Sequence, residues 1–270
     1  MKSRERTERL KLVFALKEPT EPKELVQLGD QTFTFQRREP SVAPMDALHR
    51  LLAVTEELGM NSTLFENGPP LYTVALEKVE RKGRWGSLET ADLDFRYGVV
   101  PNYGHCFVAI KEKLPGAGMG WDTWVASFLS AYKAQFVQAW VCDVEYDHWQ
   151  NAQDPLFYNA AGRDYSHLPM KSNNLPPPLD RMEIDISKNP GRWSLQSGYV
   201  EAIGATMWLG DMFWNYVGRD RRDRVLSNDW VHATFVADDV IKLQPSSQSF
   251  ISEDSADIQN RLRELLYGNT

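Results

Sequence analysis

The chain has 270 residues, of which 42% are hydrophobic, 25% are charged and 11% are aromatic. This composition is that of an ordinary globular protein with an excess of aromatic residues, and it excludes a largely disordered chain. The formal net charge of −7 argues against nucleic acid as a direct ligand, because binding phosphates requires concentrated positive charge.

The sequence also lacks the features of a membrane or secreted protein. No window approaches the roughly 18 consecutive apolar residues of a membrane span, and the opening MKSRERTERL lacks the apolar core of a signal peptide. Cys106 and Cys142 are isolated in the sequence, so neither a disulfide framework nor a cysteine-rich zinc site is expected. We therefore expect a cytoplasmic protein with no membrane partner and no cofactor.

The first part of the chain predicts short strands around one helix. The strands follow from apolar residues that alternate with polar ones, and the helix follows from an apolar face that recurs every three or four residues. The predicted strands are 10–16, 31–38, 71–79, 88–100 and 105–111, and the helix is 45–58.

The second part begins with the clearest helix, and its aromatic residues recur at helical spacing. A long segment without a sustained period, 148–180, is expected to be irregular, and loops of that length are usually functional or disordered. In chain order the other predictions are a helix at 122–138, strands at 139–147, 182–186 and 205–209, a helix at 211–217, strands at 230–236 and 240–243, and a helix at 255–267.

These elements do not alternate regularly between strand and helix, which argues against a doubly wound parallel sheet. The predicted fold class is α+β, with a mixed or mainly antiparallel sheet packed with helices. We expect one domain over residues 1–270. Two related α+β halves, about 1–115 and 116–270, are the alternative.

Three carboxylates alternate along the predicted strand 139–147. A period of two places Asp143, Glu145 and Asp147 on one wet face. This pattern has three interpretations: a charged strand that resists edge-to-edge pairing, a docking surface for a basic partner, or a set of hard oxygen ligands for a divalent metal.

The densest apolar stretch of the chain lies within 191–227 and contains three of the nine tryptophans. Its rings fit either a buried core or an interface, where Trp, Tyr and Arg are common anchors. The following RDRRDR run is expected to be a solvated turn whose charges pair with one another, rather than a phosphate-binding site. Trp208, Trp214 and Arg222 are therefore weaker candidates for partner binding.

Motifs typical of enzymes are missing from the sequence. There is no G-x-S-x-G, H-E-x-x-H, Walker A or dinucleotide-binding pattern in its required context, and no pair of the five histidines has metal-ligand spacing. An acidic, aromatic-rich α+β protein without an assembled active site is expected to bind another molecule rather than catalyse a reaction.

The segment GATMWLGDMFW, together with the tryptophan-rich helix and the acidic strand before it, resembles immunity proteins of bacterial polymorphic toxin systems. Over about 10–240 the chain is similar to immunity family 52. Members of that family sit beside toxins of the restriction-endonuclease fold, including type VI secretion effectors.

The resemblance implies a non-enzymatic antidote that binds its cognate nuclease in the cytoplasm and blocks the active site or the assembly of the toxin. A homodimer remains open. The binding residues come from the patterns above: Asp143, Glu145 and Asp147 first, then Trp208, Trp214 and Arg222. An acidic surface suits the basic cleft of a nuclease. The alternatives are a metal-dependent hydrolase that uses the same three carboxylates, and a scaffold or chaperone subunit.

Overall fold

The computed structural model describes residues 6–19, 24–28, 31–35, 38–65, 72–118 and 120–268. The strands are β1 (Glu8–Ala15), β2 (Glu24–Leu28), β3 (Gln31–Phe35), β4 (Ser87–Glu89), β5 (Leu93–Val100), β6 (His105–Glu112), β7 (Phe136–Asp143), β8 (Met170–Ser172), β9 (Met182–Ile184), β10 (Ser194–Gln196), β11 (Tyr199–Glu201), β12 (Thr206–Leu209), β13 (His232–Ala237) and β14 (Val240–Gln244). The helices are α1 (Pro44–Glu57), α2 (Tyr72–Lys82), α3 (Trp121–Tyr132), α4 (Val144–Asn151), α5 (Pro155–Ala160), α6 (Asp211–Val217), α7 (Arg219–Leu226) and α8 (Ala256–Tyr267).

Eight of these strands form one sheet in the order β13-β14-β12-β7-β1-β6-β5-β4. Every neighbouring pair in it is antiparallel. Three hairpins, β2–β3, β8–β9 and β10–β11, form separate two-stranded sheets. The predicted α+β class with a mainly antiparallel sheet is confirmed. The central strand β1 joins β6 of residues 1–115 to β7 of residues 116–270, so both predicted halves contribute to this sheet.

One face of the sheet packs against α1 and α3. Period-two alternation along β1 directs Leu10, Leu12 and Phe14 into this layer, where all three side chains are fully buried. Phe128 of α3 packs its ring 5.7 Å from the ring of Phe14. These three side chains thus form one buried face of β1, while Val13 and Ala15 are buried on its opposite face.

The opposite face is covered over β7, β12 and β14 by α6, α7, α8 and the β10–β11 hairpin. Phe213 and Trp214 of α6 and Leu262 and Leu266 of α8 are fully buried there. The strand at 205–209 and the helix at 211–217 are confirmed as β12 and α6. The helices at 45–58 and 255–267 are confirmed as α1 and α8.

Several element predictions are wrong. The predicted strand 71–79 is helix α2, whose sequence from Glu77 to Lys82 consists mostly of good helix formers. Gly83 ends this helix in the left-handed conformation, and its backbone N–H donates to the carbonyl of Val79 at 2.8 Å. The helix predicted at 122–138 stops at Tyr132; one turn of 3-10 helix, Lys133–Gln135, follows it, and β7 begins at Phe136.

Two segments expected to lack regular structure have it. The charged run after α6 is helix α7, anchored by fully buried Val225, with Arg224 and Asp220 paired at 3.3 Å one turn apart. The segment 148–180 completes α4 and contains α5 and β8. Among the described residues, no helix has the length and apolar character needed to cross a bilayer.

Candidate functional site

The predicted strand through residue 147 is wrong, because β7 ends at Asp143 and α4 begins at Val144. Asp143 is the N-cap of that helix, and its carboxylate accepts a hydrogen bond from the backbone N–H of Tyr146 at 2.7 Å. Aspartate is among the best residues for this position, since its oxygen satisfies a helix N–H that has no partner within the helix. The alternation of 143, 145 and 147 therefore continues into a helix, where it no longer places the residues on one face.

Two of the three carboxylates are buried and paired with cations from the beginning of the chain. Asp143 is 1% exposed and lies 3.1 Å from Nη1 of Arg6. Asp147 is 7% exposed and pairs with Arg9 and, at 3.9 Å, with Lys11. Glu145 alone is exposed. A wet acidic surface made of all three residues is thus not formed, and each buried carboxylate serves a local ion pair.

Metal binding by these carboxylates has no geometric support in the structure. Across the described ranges, no group of three or more His, Cys, Asp and Glu side chains is arranged to hold a metal ion. Asp143 and Asp147 face arginine and lysine nitrogens, which neutralise their charge locally. The hydrolase alternative required the three carboxylates to share one site, and the structure does not bring them together in that way.

The tryptophan candidates lie in the core. Trp208 is 1% exposed and its Nε1 donates to Asp122 at 3.1 Å, while Trp214 is fully buried in the layer over β12. Neither ring is presented to a partner, which agrees with the core interpretation of this segment. Arg222 is half-buried on α7, with its guanidinium 5.9 Å from the ring centre of Phe235. Glu145 and Arg222 remain the accessible members of the predicted set.

An ordered arm, defined here as residues 152–186, replaces the expected irregular segment. It contains α5 and the β8–β9 hairpin, and it has a small core of its own. Tyr158 packs edge-on between Trp149 and Tyr165, with ring centres 4.9 and 5.9 Å away. The buried core residues are Ala152, Tyr158, Ile184 and Ile186. The arm is therefore a packed unit that extends from the end of α4.

Large apolar side chains are unusually exposed on this arm. Of the fourteen exposed large hydrophobic residues in the described chain, six lie in the arm. They are Leu156 (68%), Phe157 (53%), Met170 (39%), Leu175 (51%), Leu179 (64%) and Met182 (54%). On the hairpin, Ser172 pairs with Met182 and Met170 with Ile184, which makes the two methionines diagonal neighbours on one face. A concentration of this kind is typical of an interaction surface.

The charged groups of the arm are arranged in pairs that fix its shape. Arg181 bridges Asp154 and Glu183, at 3.1 Å to each, and Lys171 pairs with Asp185 at 3.1 Å. The backbone N–H of Ser187 and then the Lys171 ammonium hold the pKa of Asp185 below its usual value. The Arg181–Asp154 pair links the hairpin to the start of α5. Because these charged groups pair with one another, the exposed apolar side chains are the main feature that the arm presents to solvent.

A second feature is a cavity of about 680 Å³ on the uncovered part of the sheet, which we call the basic pocket. Its floor is formed by β5, β6, β1 and β7, and α4, α5 and the segment around Trp193 form its walls. Four cations line it: Arg9, Lys11, Arg96 and Lys111. Asp147 is the carboxylate that lines the same cavity.

Lys11 is the most enclosed of these cations. Its ammonium lies 4.7 Å from the ring centre of Trp193 and 5.4 Å from that of Trp140, within the range of cation–π attraction. Burial lowers the pKa of Lys11, because the charged form loses hydration that the more distant Asp147 carboxylate only partly replaces. His105, on the same floor, also has a lowered pKa because it is buried.

Sequence reasoning missed the basic pocket, although one signal was present. Arg9 and Lys11 alternate with the buried Leu10 and Leu12, so both cations occupy the same face of β1. The partners Arg96 and Lys111 come from strands about a hundred residues later, and only the strand register brings them to this face.

Comparison with known proteins does not assign the chain to a family. No protein-family model matches the chain, and no curated protein matches it at a significant level.

Proposed function

We propose that this protein binds another protein and acts as an antidote to a toxin, as its resemblance to immunity family 52 implies. The observation that carries the proposal is the ordered arm with six exposed large apolar side chains. Two of them, Met170 and Met182, are adaptable side chains of a type common on binding surfaces. The arm replaces Trp208 and Trp214, which are buried, as the proposed source of binding energy.

The ordering of the arm favours protein binding over a role as a passive loop. Its small core and the ion pairs of Arg181 keep the hairpin and α5 in fixed positions before any partner arrives. A surface that is already ordered loses little conformational entropy on binding, so more of the apolar burial contributes to affinity. Leu156 and Leu179, each about two thirds exposed, have the most surface to bury.

The proposed partner is a toxin with a basic surface, for which a restriction-endonuclease-fold nuclease is the expectation from the resemblance. A net charge of −7 favours association with a basic protein, because long-range attraction increases the rate of encounter. Glu145 is exposed at the start of α4 and is the one carboxylate of the predicted set that is free to contribute. The proposed compartment is the cytoplasm of the producing cell.

The test is co-expression with the protein encoded immediately beside this gene. We expect the neighbour alone to kill the cells, and the intact chain to restore growth and to co-purify with it. A double variant, Leu179→Asp with Met182→Asp, should weaken the complex at least about tenfold, because charges cannot occupy an apolar contact without losing hydration.

Leu114→Asp is the matched control, since Leu114 is 58% exposed in the loop after β6, outside the arm. Thermal unfolding of all three proteins checks that each is folded. A harmless neighbour, or rescue without a complex, would refute the antidote function. Equal binding by the arm variant and the Leu114 control would refute the arm as its surface.

A further inference from the structure

The geometry points to a second function beyond the proposed antidote role: the basic pocket binds a small organic anion with a flat apolar body. Cavities of about 300–1,000 Å³ are typical of small-molecule sites, and this one measures about 680 Å³. The inference follows from the charge of the pocket, the spacing of its floor and the aromatic rings of its walls.

The charge of the pocket is positive in a protein that is negative overall. Lys111 is neutralised by Asp94 at 2.5 Å, and Arg9 takes the nearer position on Asp147. Lys11 is left with the same carboxylate at 3.9 Å. Within the described part of the chain, the exposed side chain of Arg96 makes neither an ion pair nor a hydrogen bond. Two cations thus remain with little or no counter-charge, and an anion would supply it.

The strand register places these two cations on either side of a small residue. Arg96 pairs with Ala109 across β5 and β6, and Ala109 pairs with Lys11 across β6 and β1. Neighbouring strands lie about 4.8 Å apart, so the backbones of Arg96 and Lys11 are separated by about 10 Å. Their long side chains can converge above Ala109 on one carboxylate or phosphate group, because the methyl group between them leaves that space open.

The walls are suited to a planar apolar group beside the charge. The Trp193 ring lies next to Lys11, and Phe107 and Phe157 also line the cavity. Phe107 lies across Gly98, where a Cβ atom would come within 2.5 Å of the ring. These rings give the cavity a flat apolar surface close to the Lys11 ammonium.

The test uses 2-naphthoate as the probe, and its binding is measured by calorimetry and by quenching of tryptophan fluorescence. Two comparison compounds separate the contributions: 2-naphthylmethanol has the ring without the charge, and acetate has the charge without the ring. We expect 2-naphthoate to bind at least about tenfold more tightly than either, since both recognition elements act together. Equal affinity for the neutral alcohol would overturn the inference, because the cations would then contribute nothing.

Two variants locate the binding. Arg96→Met should weaken 2-naphthoate binding about tenfold, and because Arg96 is exposed this change leaves the fold intact. Arg224→Met, at an exposed arginine of α7, is the control and should bind like the original protein. Ala109→Leu should abolish binding by filling the space between Arg96 and Lys11. Unchanged affinity in either pocket variant would overturn the inference.

Discussion

One face of the eight-stranded sheet consists of two regions with opposite character. Over β7, β12 and β14 it is covered by α6 and α8, and aromatic side chains such as Phe213 are fully buried between the two layers. Over β5, β6 and the Arg9–Lys11 part of β1 the same face is open and forms the basic pocket. Both regions belong to one continuous sheet, so backbone architecture alone does not decide where the helical layer ends.

The difference can be followed along a single row of paired residues. This row crosses the sheet through Arg96, Ala109, Lys11, Trp140, Met207 and Leu243. Its first three residues provide two cations and a methyl group, and its last three provide large apolar side chains. A helix that covers apolar side chains lowers the free energy of the folded state, whereas a helix that covers unpaired charges raises it. The side chains on the strands therefore set the boundary of the covered region.

The largest expected effect distinguishes aromatic residues in the two regions. Trp214→Ala, in the covered region, should lower the free energy of unfolding by about 4 kcal/mol, because the cavity left behind cannot close completely. Phe107→Ala, in the open region, should cost only about 1 kcal/mol, since its ring is partly exposed to the pocket. Urea denaturation measures both. Similar losses at the two sites would contradict the distinction between covered and open regions.

A somewhat smaller effect is expected at Arg263, which secures the covering layer. Its guanidinium is buried and lies 2.5 Å from Glu201, and it donates to the carbonyl of Arg192 at 2.6 Å. Arg263→Met should cost about 3 kcal/mol, because it leaves the Glu201 carboxylate buried without its partner. Arg261→Met on the exposed side of α8 is the control, with an expected loss below about 1 kcal/mol. Equal free energies of unfolding of the two variants in urea would show that the Arg263–Glu201 ion pair does not stabilise the fold.

The smallest effect concerns Cys142, at the boundary between the two regions. Burial raises the pKa of its thiol from 9.0 to about 11, and the nearby Asp147 carboxylate adds to the increase. Between these values the folded protein keeps a proton that the unfolded chain has lost. This contribution to stability is complete below pH 9 and is lost as the pH rises through 11.

Cys142→Ala should remove this dependence. Between pH 8 and pH 10 the original protein should lose about 1 kcal/mol more stability than the variant. Tyrosines with raised pKa values, such as Tyr97 and Tyr267, are present in both proteins and act as an internal control. Urea denaturation at both pH values checks the difference. Parallel pH profiles would mean that the thiol is not desolvated.

Much of the fold could be predicted from local patterns, because burial on one side of an element leaves a regular trace. The alternation at 10–16 and the sequence from Ala205 to Val217 identified β1, β12 and α6. The pattern failed at Asp143, where residues 143–147 alternate as in a strand but Asp143 caps a helix. Periodicity could not reveal that change, since the capping bond depends on a single side chain.

The candidate sites were less predictable for a different reason. The arm was recognised as an unusual segment, but its exposed leucines and methionines look like ordinary core residues in a sequence. The basic pocket depends on register: Arg96 and Lys11 lie on strands that do not touch, and Ala109 of β6 connects them. No local rule joins residues so far apart in the chain.

The position of β1 also determines when this sheet can assemble during synthesis. β1 lies between two strands that are made much later, since Arg9 pairs with Lys111 on one side and with Cys142 on the other. Until residue 112 has left the ribosome, both edges of β1 lack their partners, and the edge that pairs with β7 lacks its partner until residue 143 has followed. Non-local strand pairing of this kind slows folding and exposes the growing chain to aggregation. Of the strands in this sheet, β1 thus has the largest number of residues synthesised between its own end and the completion of its second partner.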